Sequence, residues 1–258
     1  MSPDVSRETQ LPKGELTPPV PPSVPEAARG VFTSGQLPLA VRYAELLATE
    51  GVVRGLIGPR EAPRLWDRHL LNSAVLGEVV PQDSSVCDIG TGAGLPGLVL
   101  AIARPDLTIT LVEPLLRRTT FLSEVVAELG LGSCVEVVRG RAEDLHGSST
   151  FDVVTSRAVA PLERLLGWSM PLVSSGGAMV AMKGRSAVDE ITDAQNLLHR
   201  WRCGVPEVFE VGTGVVDPPT TVVRVAWADP AQVGWPLASA ARRRAGRRHR
   251  RGGESRGA

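Results

Sequence analysis

The residues best equipped for chemistry form one run, Asp88-Ile89-Gly90-Thr91-Gly92-Ala93-Gly94-Leu95-Pro96-Gly97. Glycines at 90, 92 and 94 let a backbone turn sharply and approach a ligand that a β-carbon would exclude. Pro96 suits the first turn of a following helix, where its missing N–H is not needed. Nineteen residues beyond Gly94, Glu113 closes the next apolar run and is placed to accept hydrogen bonds from two ribose hydroxyls. Acid, glycines and distal glutamate together describe a site for an adenosine-containing ligand.

Two ligand classes compete, because Gly92 to Gly97 also satisfies the dinucleotide pattern G-x-G-x-x-G. In that register Asp88 would lie inside a strand and Gly90 would interrupt its end. Read as D-x-G-x-G-x-G, Asp88 sits at the strand tip, where a carboxylate favours a cation and repels a pyrophosphate. S-adenosylmethionine carries a sulfonium and an ammonium but no phosphate, so this register favours it as the cofactor. A nicotinamide dinucleotide and a glycine-rich turn without a ligand are the alternatives.

The surrounding text supplies the scaffold for such a turn. Strands are expected at Val86–Ile89, Thr108–Val112, Val135–Val138, Phe151–Thr155 and Ala178–Met182. Helices are expected at Leu98–Ala103, Leu115–Leu129, Pro161–Val173 and Val188–Arg200. This βαβ rhythm implies an α/β fold, a doubly wound Rossmann-like sheet that is mostly parallel. Only a loop containing Pro218-Pro219 separates Glu207–Val211 from Val222–Ala226, too short a crossover for parallel strands, so the last strand should be antiparallel. Two N-terminal helices precede the sheet, one from Leu37 stopping at Gly51 and one carrying Leu65, His69, Leu70, Ser73 and Leu76 between Pro63 and Pro81.

The expected organisation is a Pro-rich flexible leader over 1–35, a helical element over 36–80, a methyltransferase domain over 81–228 and a basic tail over 229–258. Seven prolines before Gly30, with little apolar content, argue for the leader. Net charge is near zero over 258 residues, yet residues 241–258 hold eight arginines against Glu254, leaving 20 Lys and Arg against 27 Asp and Glu elsewhere. An acidic body thus carries a cationic arm suited to polyanions; a solvated tail without a partner is the alternative. No apolar run approaches the ~18 residues of a membrane helix. Three cysteines without a C-x-x-C pair give no support to a disulfide framework or a zinc site, so no metal is expected. Nothing reads as an export signal, and a cytoplasmic location is expected.

Several segments beyond the glycine turn carry a resemblance. Val86-Cys87-Asp88-Ile89-Gly90-Thr91-Gly92-Ala93-Gly94-Leu95-Pro96-Gly97, Arg141-Ala142-Glu143-Asp144, Ser156-Arg157-Ala158, Met182-Lys183-Gly184 and Asp67-Arg68-His69-Leu70-Leu71-Asn72-Ser73 closely resemble the RsmG (GidB) family of bacterial 16S ribosomal RNA guanine-N7 methyltransferases. The likeness runs in matching order from about Tyr43 to Ala226. It implies donor contacts at Gly90 and Leu95, an adenine-side pair at Ala142 and Glu143, and a site arginine at Arg157. It also implies a partner, 16S ribosomal RNA or the small ribosomal subunit, with no obligate protein partner evident. Lys183, ending the fifth strand, is a candidate for an RNA phosphate or the target base.

The chemistry agrees with that target. Methyl transfer to N7 of guanine is an in-line displacement on a nitrogen with no proton to lose, so alignment matters more than a general base. No N-P-P-Y or D-P-P-Y follows the fourth strand, where exocyclic-amine methylation would place it, and no cysteine stands where a pyrimidine-carbon methyltransferase needs a nucleophile. Blander roles stay open: an ion-pair partner for Arg157, a solvated strand end for Lys183, an ordinary helix residue for His69, an acidic loop for Glu143-Asp144. So do three rival functions: a small-molecule methyltransferase, a nicotinamide dehydrogenase, and a donor- and RNA-binding protein without catalysis.

Overall fold

The structure is a computed structural model that describes residues 23–157 and 160–233. Its centre is a seven-stranded sheet in the order β3-β2-β1-β4-β5-β7-β6, built from β1 (Ser85–Ile89), β2 (Thr108–Glu113), β3 (Val135–Arg139), β4 (Phe151–Arg157), β5 (Val173–Lys183), β6 (Glu207–Val211) and β7 (Thr220–Ala226). The first five strands pair in parallel, while β7 runs antiparallel to both β5 and β6. The expected doubly wound, mostly parallel α/β architecture with a reversed final strand is therefore present.

Period-two alternation splits the strands between two cores. On one face Val86, Ile109, Leu111, Val153 and Val180 pack with α4 (Gly97–Ala103), α5 (Leu116–Glu128) and the N-terminal helices α1 (Glu26–Val31) and α2 (Leu37–Leu46). On the other, Cys87, Ile89, Val154, Met179, Ala181 and Val223 pack with α6 (Leu162–Ser169) and α7 (Ala187–Trp201). Both faces are covered, as parallel strands require.

Four expectations need correction. The leader expected over 1–35 is corrected where the structure describes it: residues 1–22 lie outside the described residues, but α1 forms at Glu26, and Ala28 and Phe32 are buried, Phe32 meeting Trp66 edge-on at 6.4 Å. The first long helix does not stop at Gly51. A π-helical turn, Leu47–Gly51, continues it to a cap at Gly55 (φ 64°), where the Leu56 N–H reaches the Gly51 carbonyl and the Gly55 N–H the Val52 carbonyl. The second helix is a ladder of 3-10 and π-helical turns from Ala62 to Val79 with only α3 (Asn72–Ala74) as regular α-helix.

Finally, α6 ends at Ser169 and β5 begins five residues earlier than expected. Val173 pairs with Phe151 through a register shift, and the Trp227 indole N–H bonds the Val173 and Ser174 carbonyls. Gly177 allows this: a β-carbon there would stand 2.5 Å from the Asp152 carbonyl oxygen. The arginine-rich tail lies outside the described residues.

Candidate active site

β1 feeds β2 on one side through α4, and β4 lies on its other side, so the crevice beyond their carboxyl ends is the switch point where such sheets bind ligands. The glycine run occupies that point. Gly90, Gly92 and Gly94 have φ of 67°, 64° and 104°, the left-handed region glycine tolerates. The Gly90 and Thr91 N–H groups bond the Val112 carbonyl, and Pro96 caps the N-terminus of α4 while Gly97 opens it. Leu95 is buried beside the turn.

Asp88, next to last in β1, sits at the strand tip as expected and is fully buried beneath this turn. Its Oδ2 accepts from the Thr91 hydroxyl at 2.6 Å and the Gly97 N–H at 2.8 Å. Any β-carbon on Gly97 would press on Leu111 and on that same oxygen. Oδ1 has no partner. Burial raises the Asp88 pKa to about 6, against the lowering effects of Thr91, Gly97 and the Arg157 charge. Thr155 pairs with Asp88 in register and shares its sheet face, and its buried hydroxyl likewise has no partner among the described residues.

Glu113 ends β2 as expected, but its carboxylate is buried and already holds the turn. Oε2 accepts from the Gly92 N–H at 3.1 Å and from Arg118 at 3.2 Å, and Oε1 from the Leu115 N–H at 3.1 Å. With about four lone-pair directions on a carboxylate, one remains on Oε1 for a further donor. The Gly140 N–H bonds the Glu113 carbonyl, which sets the 3-10 turn Ala142–Leu145 beside it, with Ala142 buried and Glu143 half-buried.

Arg157 ends β4, beyond the Asp88–Thr155 pair. Its Nη2 donates to His69 Nδ1 at 2.8 Å and its Nη1 to the Arg68 carbonyl at 3.3 Å. His69 Nε2 lies 3.0 Å from Glu61 Oε2. A guanidinium only donates, so Nδ1 must be the accepting nitrogen and Nε2 must carry the proton, which it gives to Glu61. Burial, with the Arg157 charge second, holds the imidazole pKa below its ordinary value and so keeps it neutral.

Lys183 does not face a substrate. Its side chain is 6% exposed, and Nζ donates to the Ala160 carbonyl at 2.7 Å and to Glu190 Oε2 at 2.6 Å. Glu190 also accepts from the Leu162 N–H and the Ser186 hydroxyl, so the pair ties the start of α6 to α7. An ammonium so enclosed cannot reach a phosphate, and the expected RNA contact at Lys183 is withdrawn. The sequence reading also missed Tyr43, whose hydroxyl donates to the Ala93 carbonyl at 2.7 Å; helical spacing marked it only as a core residue. Glu61, too, was missed, although Asp67-Arg68-His69 marked the neighbourhood.

Comparison with known proteins decides the assignment. A family model described as rRNA small subunit methyltransferase G matches residues 36–208. A ribosomal RNA small subunit methyltransferase G from a Nocardioides species is 61% identical over 257 residues, spanning 100% of this chain and 97% of its own. The chain belongs to the rRNA small subunit methyltransferase G family. The Thermobifida fusca member is 54% identical over 228 residues, covering 88% of this chain and 95% of its own. A Methanococcus maripaludis structure assigned to the S-adenosylmethionine-dependent methyltransferases shares the fold, with a TM-score of 0.52 at 13% identity over 70% of this chain and 90% of that one.

As a member of the methyltransferase G family the protein is a methyltransferase with S-adenosylmethionine as its cofactor. The residues present fit that donor. Two buried acceptors on one sheet face, Asp88 Oδ1 and the Thr155 hydroxyl, lack partners among the described residues beneath the glycine turn, and a buried carboxylate with one oxygen unpaired suits a cationic ligand. Among the described residues no cluster of His, Cys, Asp and Glu could hold a metal, and no helix is long and apolar enough to cross a membrane.

Proposed function

We propose that this methyltransferase modifies N7 of a guanine in 16S ribosomal RNA, in the cytoplasm, using the crevice between β1 and β4. The observation that carries this reading is the engagement of His69. Both ring nitrogens have partners, Arg157 on one side and Glu61 on the other, so the imidazole beside the site arginine is not free to take a proton from substrate. N7 of guanine asks for no such step, because it attacks through a lone pair and carries no hydrogen.

When bound, S-adenosylmethionine supplies an electrophilic methyl group on a positively charged sulfur. The chain's own residues bind and orient. Gly90, Gly92, Gly94 and Leu95 form the bed for the donor, Asp88 sets a negative potential under it, Glu113 takes a ribose hydroxyl, and Ala142 and Glu143 flank the adenine. Arg157 holds the acceptor base and the donor's reacting end in register. Alignment of this kind supplies ~7 to 11 kcal/mol of barrier reduction.

N7 is hidden in the deep major groove of A-form RNA, so the target guanine must be unstacked in a loop. Arg64 and Arg68 are exposed on the ladder, Arg60 on the turn before it, and Arg185 just past β5, and the Arg68 carbonyl bonds Arg157. They offer phosphate contacts at the mouth of the crevice, with the tail adding affinity without sequence choice. Incubation with labelled donor and small-subunit RNA from a strain lacking the protein tests the assignment. Label in one guanine of 16S RNA is expected; label only in small molecules would favour the small-molecule reading, and binding without label a non-catalytic one.

A further inference from the structure

Arg157, His69 and Glu61 form a chain of hydrogen bonds whose direction is fixed from both ends. The guanidinium donates to Nδ1 at 2.8 Å, and Nε2–H donates to Glu61 at 3.0 Å. Glu61 itself is half-buried on the turn before the ladder, with Arg68 Nε 3.5 Å from the same Oε2. Among the described residues, the guanidinium makes one further hydrogen bond, the long one to the Arg68 carbonyl at 3.3 Å. The aim of the guanidinium therefore depends on a lone pair on a titratable ring. If His69 takes up a proton, Nδ1 becomes a donor facing a donor, and two cations stand at contact distance.

We propose that His69 and Glu61 are positioning residues for the methyl transfer: neutral His69, oriented by Glu61, holds Arg157 in its working position, and protonation of His69 releases it. The inference rests on the reading that Arg157 serves the transfer. The charged and titratable groups around the chain are Arg68 on the same ladder, Tyr43 from α2 and Asp88 from β1. Asp88 has its own titration near pH 6, but it lies beneath the donor turn, so its protonation should change donor KM, whereas His69 protonation should change kcat. The carboxylate of Glu61 favours imidazolium, so removing its charge makes His69 harder to protonate.

The test is the pH profile of kcat and donor KM in steady-state methylation of 16S RNA by the full chain carrying Glu61→Gln, His69→Gln or His69→Leu, with donor affinity measured by calorimetry. The wild-type kcat should fall on the acid side of the ordinary imidazole range. Glu61→Gln should move that limb to lower pH with donor affinity unchanged. His69→Gln, whose amide accepts at one end and donates at the other, should keep kcat within about 3-fold and lose the limb. His69→Leu should cut kcat by roughly 10-fold or more, the factor corresponding to ~1.4 kcal/mol. An acid limb identical in wild type and Glu61→Gln, or His69→Leu with wild-type kcat, overturns the proposal. Arg157→Ala at full activity would instead overturn the underlying reading of Arg157.

Discussion

The Tyr43 hydroxyl, from α2, donates a 2.7 Å hydrogen bond to the Ala93 carbonyl at the crest of the glycine turn. The N-terminal helices thus clamp the donor loop from above, and a β-carbon on Gly94 would stand 2.8 Å from that hydroxyl. Tyr43 is fully buried, so Tyr43→Phe leaves the Ala93 carbonyl without its partner and should destabilise the fold by ~1 to 3 kcal/mol. Donor affinity should fall as the turn loosens. Urea unfolding and calorimetry with S-adenosylmethionine check both; a variant with wild-type stability would show that the clamp does not matter.

Asp88 carries an unfavourable buried charge that the donor would neutralise. Its folded pKa, about 6, lies above the unfolded carboxylate value of 3.8. Between roughly pH 4 and 6 the unfolded chain has lost this proton while the native chain retains it, so this residue makes stability fall as pH rises through that window. Asp88→Asn should abolish that fall and raise the melting temperature above pH 6, while weakening donor binding at least about 10-fold, or ~1.4 kcal/mol. A melting temperature with an unchanged pH profile would place the titration elsewhere.

Lys183 is a structural tie rather than an RNA contact. Lys183→Met leaves the Ala160 carbonyl and the Glu190 carboxylate without their cation, and breaking a largely buried pair by removing one partner costs about 3 kcal/mol or more. The slope of log RNA affinity against log salt should stay at its wild-type value. A slope flattened by about 0.7, the share of one single-strand phosphate contact, would return Lys183 to the RNA surface.

The arginines of residues 241–258 predict the opposite behaviour. If four of them meet single-stranded phosphates, deleting the segment should flatten the salt slope by about 2.8 with little change in the modified position. An unchanged slope in filter-binding titrations would mean that the tail does not touch RNA.

What the sequence made legible was local. The strands β1 to β4 follow from short apolar runs broken by Gly and Pro, and the site turn follows from glycine spacing. The start of β5 was hidden because Val173-Ser174-Ser175-Gly176-Gly177 reads as a loop; it becomes a strand only through Phe151 and Trp227, each at least 22 residues away. The prolines before Gly30 masked α1, whose stability comes from burying Ala28 and Phe32 against the ladder. Asp88 and Glu113 were located correctly along the chain, yet their protein partners were invisible, since a carboxylate's acceptors are filled by whatever folds over it. The His69–Arg157 bond joins residues 88 apart, and no periodicity reports such a pair.

The central claim is that the crevice between β1 and β4 delivers a methyl group to N7 of one guanine. N7-methylguanosine carries a cationic imidazole ring that borohydride reduces, after which aniline cleaves the strand. Applied to 16S RNA treated with the protein and S-adenosylmethionine, this chemistry should give one new break, absent without donor and reduced with Arg157→Ala. Stoichiometric methylation of that RNA with no new break would contradict the account.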